Sequence, residues 1–537
     1  MLKRYFLQFL LITSAFSAPQ INEKCQESAD NLEQACSLAD EDKPFVGHSN
    51  ENSPDFWQLS GQKTLEDNIK KSMNENVAKN LIILVADGMS IPTQMATRMY
   101  MGGEEKVLSF EKFPYVGLSK TYCVDSQVAD SACSATAFLS GIKTNFGVVS
   151  LDASNRRYNC SSKSVKKNHV ESIFKYAQDA KKATGFVTNT RVTHATTAAI
   201  YANSPSRYFE NDSQTPPGCD DIALQLIHGN IGRNLDVVLG GGYREFLPAD
   251  KYDPHGRVGV RTDNRDLIKE MLLTTRRSDF VYDRNSLKRA NVKFIDKLFG
   301  VFSKSHMKYH LFNDKTVEPT LIEMTLKALQ MVAKNPNGYV LLIENGRIDH
   351  GHHKNRAKLA LEETVQFHNV VNYVKSQVDE RETLIVVTAD HSHTMTVSGY
   401  PKRRHDILAL GGFSPEDEMP YFTLSYANGM GFSQHFNESG RNNPLDMDFN
   451  DPLFMHPTTV PLNEATHAGD DVGVYAIGPY SHLFTGVYEQ HYIAHAMMYA
   501  TCLGPEKFTK SPSCDESNVI KISFILLAFN ALTFFMF

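Results

Sequence analysis

The sequence holds a single tryptophan, Trp57, and no tract of basic residues. Its formal net charge is −6. Nothing in it supplies the positive surface that a nucleic-acid backbone requires, so no nucleic-acid partner is expected. There is no internal repeat and no low-complexity segment, which sets repeat architectures and disordered arrays aside. Apolar runs longer than a strand are confined to the two ends of the chain. Cysteines are few, but their number, eight, is even.

Both ends read as processing signals. Lys3 and Arg4 precede an apolar run from Tyr5 to Phe16, the pattern of a secretory signal peptide over residues 1–18, cut near Ser17 or Ala18. Ile520–Phe537 is almost wholly apolar and has no basic cluster after it. Small and polar residues precede it, from Ser511 to Asn518. That layout is a GPI-attachment signal over 511–537, its tail exchanged for a lipid within Ser511–Asn518. The alternative is a transmembrane anchor, for which the run is short. A secreted chain with paired cysteines forms disulfides. Spacing suggests Cys502–Cys514 and Cys25–Cys36, and Cys160–Cys219 closes a longer loop; the pairing of Cys123 and Cys133 stays open. Asn159, Asn211 and Asn437 head glycosylation triplets.

What is present is a globular chain, 42% hydrophobic and 22% charged, able to bury a large core. Residues 19–75 form a polar arm and an amphipathic helix, Phe56–Ile69, which packs either on a partner subunit or on its own core. From Leu81 onward, continuous apolar runs recur: Leu81–Ala86, Thr184–Thr188, Leu235–Leu239, Tyr339–Ile343, Thr383–Thr388 and Val472–Ile477. Such runs suit strands buried on both faces. Helical stretches such as Val170–Lys182 and Pro319–Lys334 separate many of them. The alternation predicts an α/β fold, a doubly wound, mostly parallel sheet flanked by helices, over 76–510. Residues 400–463 break the rhythm and read as a small inserted subdomain.

Chemistry gathers behind the strands. Asp87 follows the first, His194 and Thr196 the second, Glu344 and Asp349 the fourth, and Asp390 and His391 the fifth. In open α/β sheets ligands bind beyond the carboxyl ends of the strands, so these groups converge on one site. Carboxylates and imidazoles from four strand ends resemble a metal centre. Asp349 and His353, four apart, share a helix face and suit zinc. Ser131 opens an Ala-rich helix stopped by Gly141. There it would face free backbone N–H groups and the positive end of the helix dipole, a setting for an anion. Asp130 beside it either orients an arginine or serves as a helix N-terminal acid.

Seven motifs then fall in one order: Val85-Ala86-Asp87-Gly88-Met89, Asp130-Ser131-Ala132, Arg191 through Thr196, Gly240-Gly241-Gly242, Glu344 through His353, Thr388 through His393, and Thr466-His467-Ala468-Gly469. Together they resemble the membrane-anchored alkaline phosphatases of animals, over roughly 75–510. The resemblance implies hydrolysis of phosphate monoesters through a phosphoserine on Ser131. It implies one zinc on Asp349, His353 and His467, a second on Asp87, Asp390, His391 and the Ser131 oxygen, and one magnesium on Asp87, Thr196 and Glu344. Thr196 stands where many mammalian relatives have serine, and both supply a hydroxyl. Arg207, thirteen residues after His194, matches the phosphate-clamping arginine, and His194 would stand behind the magnesium ligands. The 400–463 segment would be the family's crown subdomain, and the protein a homodimer on the extracellular face of the plasma membrane. An additional calcium site maps to Phe302–Glu318. Glu318 fits it, but Ser303 replaces an expected carboxylate, which puts calcium in doubt. Two rivals remain. A phosphodiesterase or sulfatase relative would use threonine or a modified Cys/Ser-x-Pro-x-Arg context, which Ser131-Ala132-Cys133 lacks. A catalytically dead, lipid-anchored receptor would have lost ligands, and none of these positions has.

Overall fold

The computed structural model describes residues 51–161, 167–505 and 514. The signal peptide, Cys25, Cys36 and the lipid-attachment tail other than Cys514 lie outside the described residues. Ten strands form one sheet: β1 Asn80–Ala86, β2 Tyr115–Lys120, β3 Ala183–Arg191, β4 Val237–Gly241, β5 Ser278–Val281, β6 Lys297–Val301, β7 Tyr339–Asn345, β8 Thr383–Thr388, β9 Val472–Ile477 and β10 Gly486–Glu489. Their order is β10-β2-β9-β8-β1-β7-β3-β4-β6-β5. All neighbours are parallel except β9, which runs antiparallel to both β2 and β8.

Both faces of the sheet are buried, and β1 shows why its sequence has no polar gaps. Leu81, Ile83 and Val85 enter one apolar core, with Phe138, Phe174 and Phe186. Ile82, Leu84 and Ala86 enter the other, with Phe110, Met324 and Phe367. Side chains alternate across a strand, so a strand covered on both faces must be apolar throughout. Six helices carry or flank the chemistry and the exposed apolar surface: α1 Pro54–Ile69, α2 Ile91–Tyr100, α3 Ser131–Ser140, α4 Ala195–Tyr201, α5 Arg347–His353 and α6 Ala357–Gln377. Beyond β8 the chain leaves the large sheet. Met395–Val397, Leu424–Gly429 and Thr458–Pro461 make a separate three-stranded sheet.

Disulfides join Cys123 to Cys133, Cys160 to Cys219 and Cys502 to Cys514. The first pairs the two cysteines the sequence left open. Asn159 and Asn437 are exposed. Asn211 is only 1% exposed, and its amide donates to Glu245 Oε2 at 2.6 Å. A buried amide with that partner cannot carry a glycan, so glycosylation is not expected there. No helix among the described residues is long and apolar enough to cross a membrane.

Candidate active site

Strand register sets the first carboxylates. Val85 lies opposite Glu344 on β7 and Thr388 on β8. Asp87, Glu344 and Asp390 therefore emerge at one edge. Thr188 on β3 lies opposite Glu344, and its hydroxyl donates to Glu344 Oε2 at 2.5 Å. Gly88, at φ +72°, lets β1 end tightly against α5. A Cβ there would lie 3.0 Å from the Asp349 Cα. Its N–H donates to Asp390 Oδ1 at 3.1 Å. His467 precedes β9, and because β9 is antiparallel its start lies at the same edge as the ends of its parallel neighbours.

Three clusters result. Asp349, His353, His393 and His467 form one, Asp87, Asp390 and His391 the second, and Asp87, His194 and Glu344 the third; within each, the donor atoms lie within 4.8 Å of one another. Asp87 belongs to two. In the first cluster, Asp349 lies 3.1 Å from His353 Nε2 and 3.4 Å from His467 Nε2. Both imidazoles are oriented from behind. His353 Nδ1 donates to the Ala465 carbonyl at 2.6 Å and His467 Nδ1 to that of Ala129 at 2.8 Å. Each ring thereby turns a free Nε2 towards the cluster, the arrangement metal-binding histidines use. In the second, His391 Nε2 lies 3.4 Å from Asp87 and 3.2 Å from Asp390.

The electrostatics favour a bound cation. Asp87, Asp349, Asp390 and Glu344 are all buried. Burial, then the charges of Asp390, Asp349 and Glu344, push the Asp87 carboxyl well above its ordinary range. Burial holds Glu344 up to about 7, against the lowering effect of the Thr188 hydroxyl. Both Asp87 oxygens, Asp390 Oδ2, Glu344 Oε1 and Thr196 Oγ1 are buried without a hydrogen-bond partner. Orphaned oxygens on close carboxylates are costly unless a cation meets them. The imidazole and carboxylate sets of the first two clusters fit zinc; in the third, the oxygens of Asp87, Glu344 and Thr196 fit magnesium, with the His194 imidazole beside them.

Ser131 opens α3, and its Oγ lies 3.3 Å from His391 Nε2. The helix end differs from expectation in one respect. Asp130 is the cap, and its carboxylate accepts from the N–H groups of Ala132 and Cys133 at 3.2 and 3.3 Å. Those two amides are therefore not free for a bound anion. Asp130 also accepts from Arg207 at 2.9 Å and from the Gly147 N–H at 2.8 Å. It therefore fills both roles that its sequence position allowed. Burial pushes its carboxyl up, but the Arg207 charge and the Gly147 and Cys133 hydrogen bonds outweigh this and hold it low. Arg207 reaches His194 Nε2 at 3.0 Å with its other terminal nitrogen. Ser131, Arg207, His194, Asp349, His353 and His467 all line one cleft of about 560 Å³.

Some functional neighbours are not evident from the sequence. His393, unassigned inside its motif, lies 3.5 Å from Asp349. Glu363 is buried on α6, where it accepts from the His310 N–H at 2.6 Å and from the Asn345 side chain at 3.1 Å. Asn189 also donates to Asn345 Oδ1 and accepts from the Gly346 N–H. This network fixes the turn that carries Glu344 and Asp349. Its signal in the sequence is an acid on the apolar face of a long helix, four residues from Leu359 and from Phe367. His352, which the sequence gives no reason to count as a ligand, bonds Thr93 and Tyr426 and lies in none of the clusters.

Comparison with known proteins agrees with this geometry. A family model described as alkaline phosphatase matches residues 78–503. The rat tissue-nonspecific alkaline phosphatase is 40% identical over 475 residues, covering 84% of this chain and 90% of the relative. A membrane-bound alkaline phosphatase of Bombyx mori is 37% identical over 499 residues, covering 89% and 91%. The Thermus thermophilus alkaline phosphatase structure superposes with a TM-score of 0.58 at 23% identity, over 79% of this chain and 92% of that one. With the fold, the clustered donors and this similarity together, the chain belongs to the alkaline phosphatase family.

Proposed function

We propose that this protein hydrolyses phosphate monoesters through a covalent phosphoserine on Ser131. One observation carries the reading: Ser131 Oγ lies 3.3 Å from His391 Nε2, in a candidate metal cluster with Asp87, and lines one cleft with the Arg207–Asp130 pair. Asp349, His353 and His467, with His393 beside them, would hold one zinc. Asp87, Asp390, His391 and the Ser131 oxygen would hold a second, and Asp87, Thr196 and Glu344 a magnesium. Two divalent ions at such a site, when bound, stabilise the attacking and departing oxygens of an in-line displacement.

The chain's own groups do the rest. The Arg207 guanidinium matches two phosphate oxygens as a fork, and Asp130 fixes its plane. Ser131 Oγ, having lost its proton, forms a bond to phosphorus as the ester P–O bond breaks, and the alcohol leaves with a proton. Water then attacks the phosphoserine on the opposite face, restores the Ser131 hydroxyl and releases phosphate. His194 braces Arg207 from behind. The protein acts as a homodimer, held by a GPI lipid on the outer face of the plasma membrane. Release of activity from intact cells by a phosphatidylinositol-specific phospholipase tests the anchor.

The mechanism is tested by acid-quenching the enzyme during turnover and mapping phosphate by mass spectrometry. Phosphate on the peptide containing Ser131, and loss of turnover in Ser131→Ala with zinc content unchanged, are expected. A Ser131→Ala protein that still turns over would sink the assignment. A dead receptor or a diesterase on the same fold predicts no monoester turnover in the intact, metal-loaded protein.

A further inference from the structure

The cleft holds cationic side chains that no carboxylate of the described residues pairs. Four cationic side chains line it: Arg207, Arg347, Lys354 and Arg356. Arg207 is paired with Asp130, and Lys354 with Glu464 at 2.5 Å. Among the described residues, Arg347 and Arg356 have no ion-pair partner, and the Nε of each is buried without an acceptor. Glu363, whose carboxyl burial raises and the Arg347 charge lowers, spends its oxygens on His310, Asn345 and Asn189.

Arg347 is also held in place. Its Cζ stacks 3.8 Å over the Tyr309 ring centroid, and one terminal nitrogen lies 2.8 Å from His350 Nδ1. The His350 ring lies 5.7 Å from that of His194, which touches Arg207. The unpaired guanidinium is thus two imidazoles away from the phosphate clamp. Buried donors without acceptors are costly, and a charged pair at low dielectric recovers that cost.

We propose that Arg347, backed by Tyr309, and Arg356 form a second anion subsite in the cleft that also holds Ser131 and Arg207. It takes phosphate monoesters whose alcohol bears a further carboxylate or phosphate near the ester, in preference to those with neutral alcohols. The subsite rests on the monoesterase reading of Ser131 and Arg207.

The test compares matched substrates. Glycerol 1-phosphate and 3-phosphoglycerate share a skeleton and a primary ester and differ by one carboxylate. Fructose 6-phosphate and fructose 1,6-bisphosphate supply the phosphate arm and distinguish which second anion is read. The quantity measured is the ratio of kcat/KM for the charged over the neutral member. In the wild type the ratio for the preferred arm, counted per hydrolysable ester, exceeds one and falls as salt is raised. Arg356→Gln lowers it about tenfold or more, as loss of a charged hydrogen bond does, whereas Arg356→Lys keeps most of it. A general loss of folding or metal lowers both rates and leaves the ratio alone. A ratio that Arg356→Gln does not move, or one at or below one in both arms of the wild type, overturns the subsite. Turnover of glycerol 1-phosphate by the wild type is the separate check on monoesterase chemistry.

Discussion

Asp130 shows how far a single residue can be read. Its position before an Ala-rich helix allowed a helix cap or an arginine partner, and its two carboxylate oxygens serve both. The distinction was not in the sequence because Arg207 is 77 residues away. Asparagine caps a helix as well as aspartate does, so Asp130→Asn separates the roles. It removes the charge that fixes Arg207 and leaves the cap. The KM for a phosphate monoester and the inhibition constant of inorganic phosphate are expected to rise together, roughly tenfold, the scale of one charge-assisted hydrogen bond. An unchanged phosphate inhibition constant would contradict the role given to the Asp130–Arg207 pair. His393 and Glu363 were less legible for a different reason. Their roles come from contacts with Asp349 and Asn345, distant in sequence, rather than from spacing.

At the scale of elements, legibility followed burial on both faces. All six apolar runs are strands of the large sheet, with ends shifted by a few residues. Among the missed strands, β5 and β10 have four residues each, and β6 opens on Lys297, so none gives a long unbroken apolar run. In β2 the pattern is inverted: Val116 and Leu118 are exposed, while Gly117 and Ser119 are buried. Helix α1 was legible as a helix, and of its two expected settings the core is ruled out, since none of its residues is buried. Trp57, Leu65 and Ile69 are 55, 59 and 72% exposed. They recur at near-helical spacing and share one broad face. The chain leaves α1 beside β2, where Lys71 Nζ donates to the Pro114 carbonyl. An apolar helix face next to an apolar strand face is the kind of patch a second copy covers. Leu65→Asp with Ile69→Asp is expected to shift the proposed dimer to monomer in sedimentation. A dimer of unchanged stability would remove α1 from the interface.

At the scale of the whole molecule, the site exists because separate strand ends meet at one sheet edge. The sequence predicted that edge from the parallel-sheet rule. It could not predict that β9 turns antiparallel, and that reversal is what carries His467 to the same edge. Asp87, Glu344, Asp349 and Asp390 are brought together by the register of β1, β7 and β8, and the cost of their burial is what makes the cluster a cation site. Such a cluster is inert as a phosphatase without metal and is restored by the ions that fit its donors. The most direct measurement is hydrolysis of a chromogenic phosphate monoester at alkaline pH by the tail-truncated protein, before and after chelation. Activity lost to the chelator, returning in part with zinc and fully with zinc and magnesium together, is the predicted result. Full activity in protein stripped of both metals, or none in folded protein reloaded with both, would contradict the account.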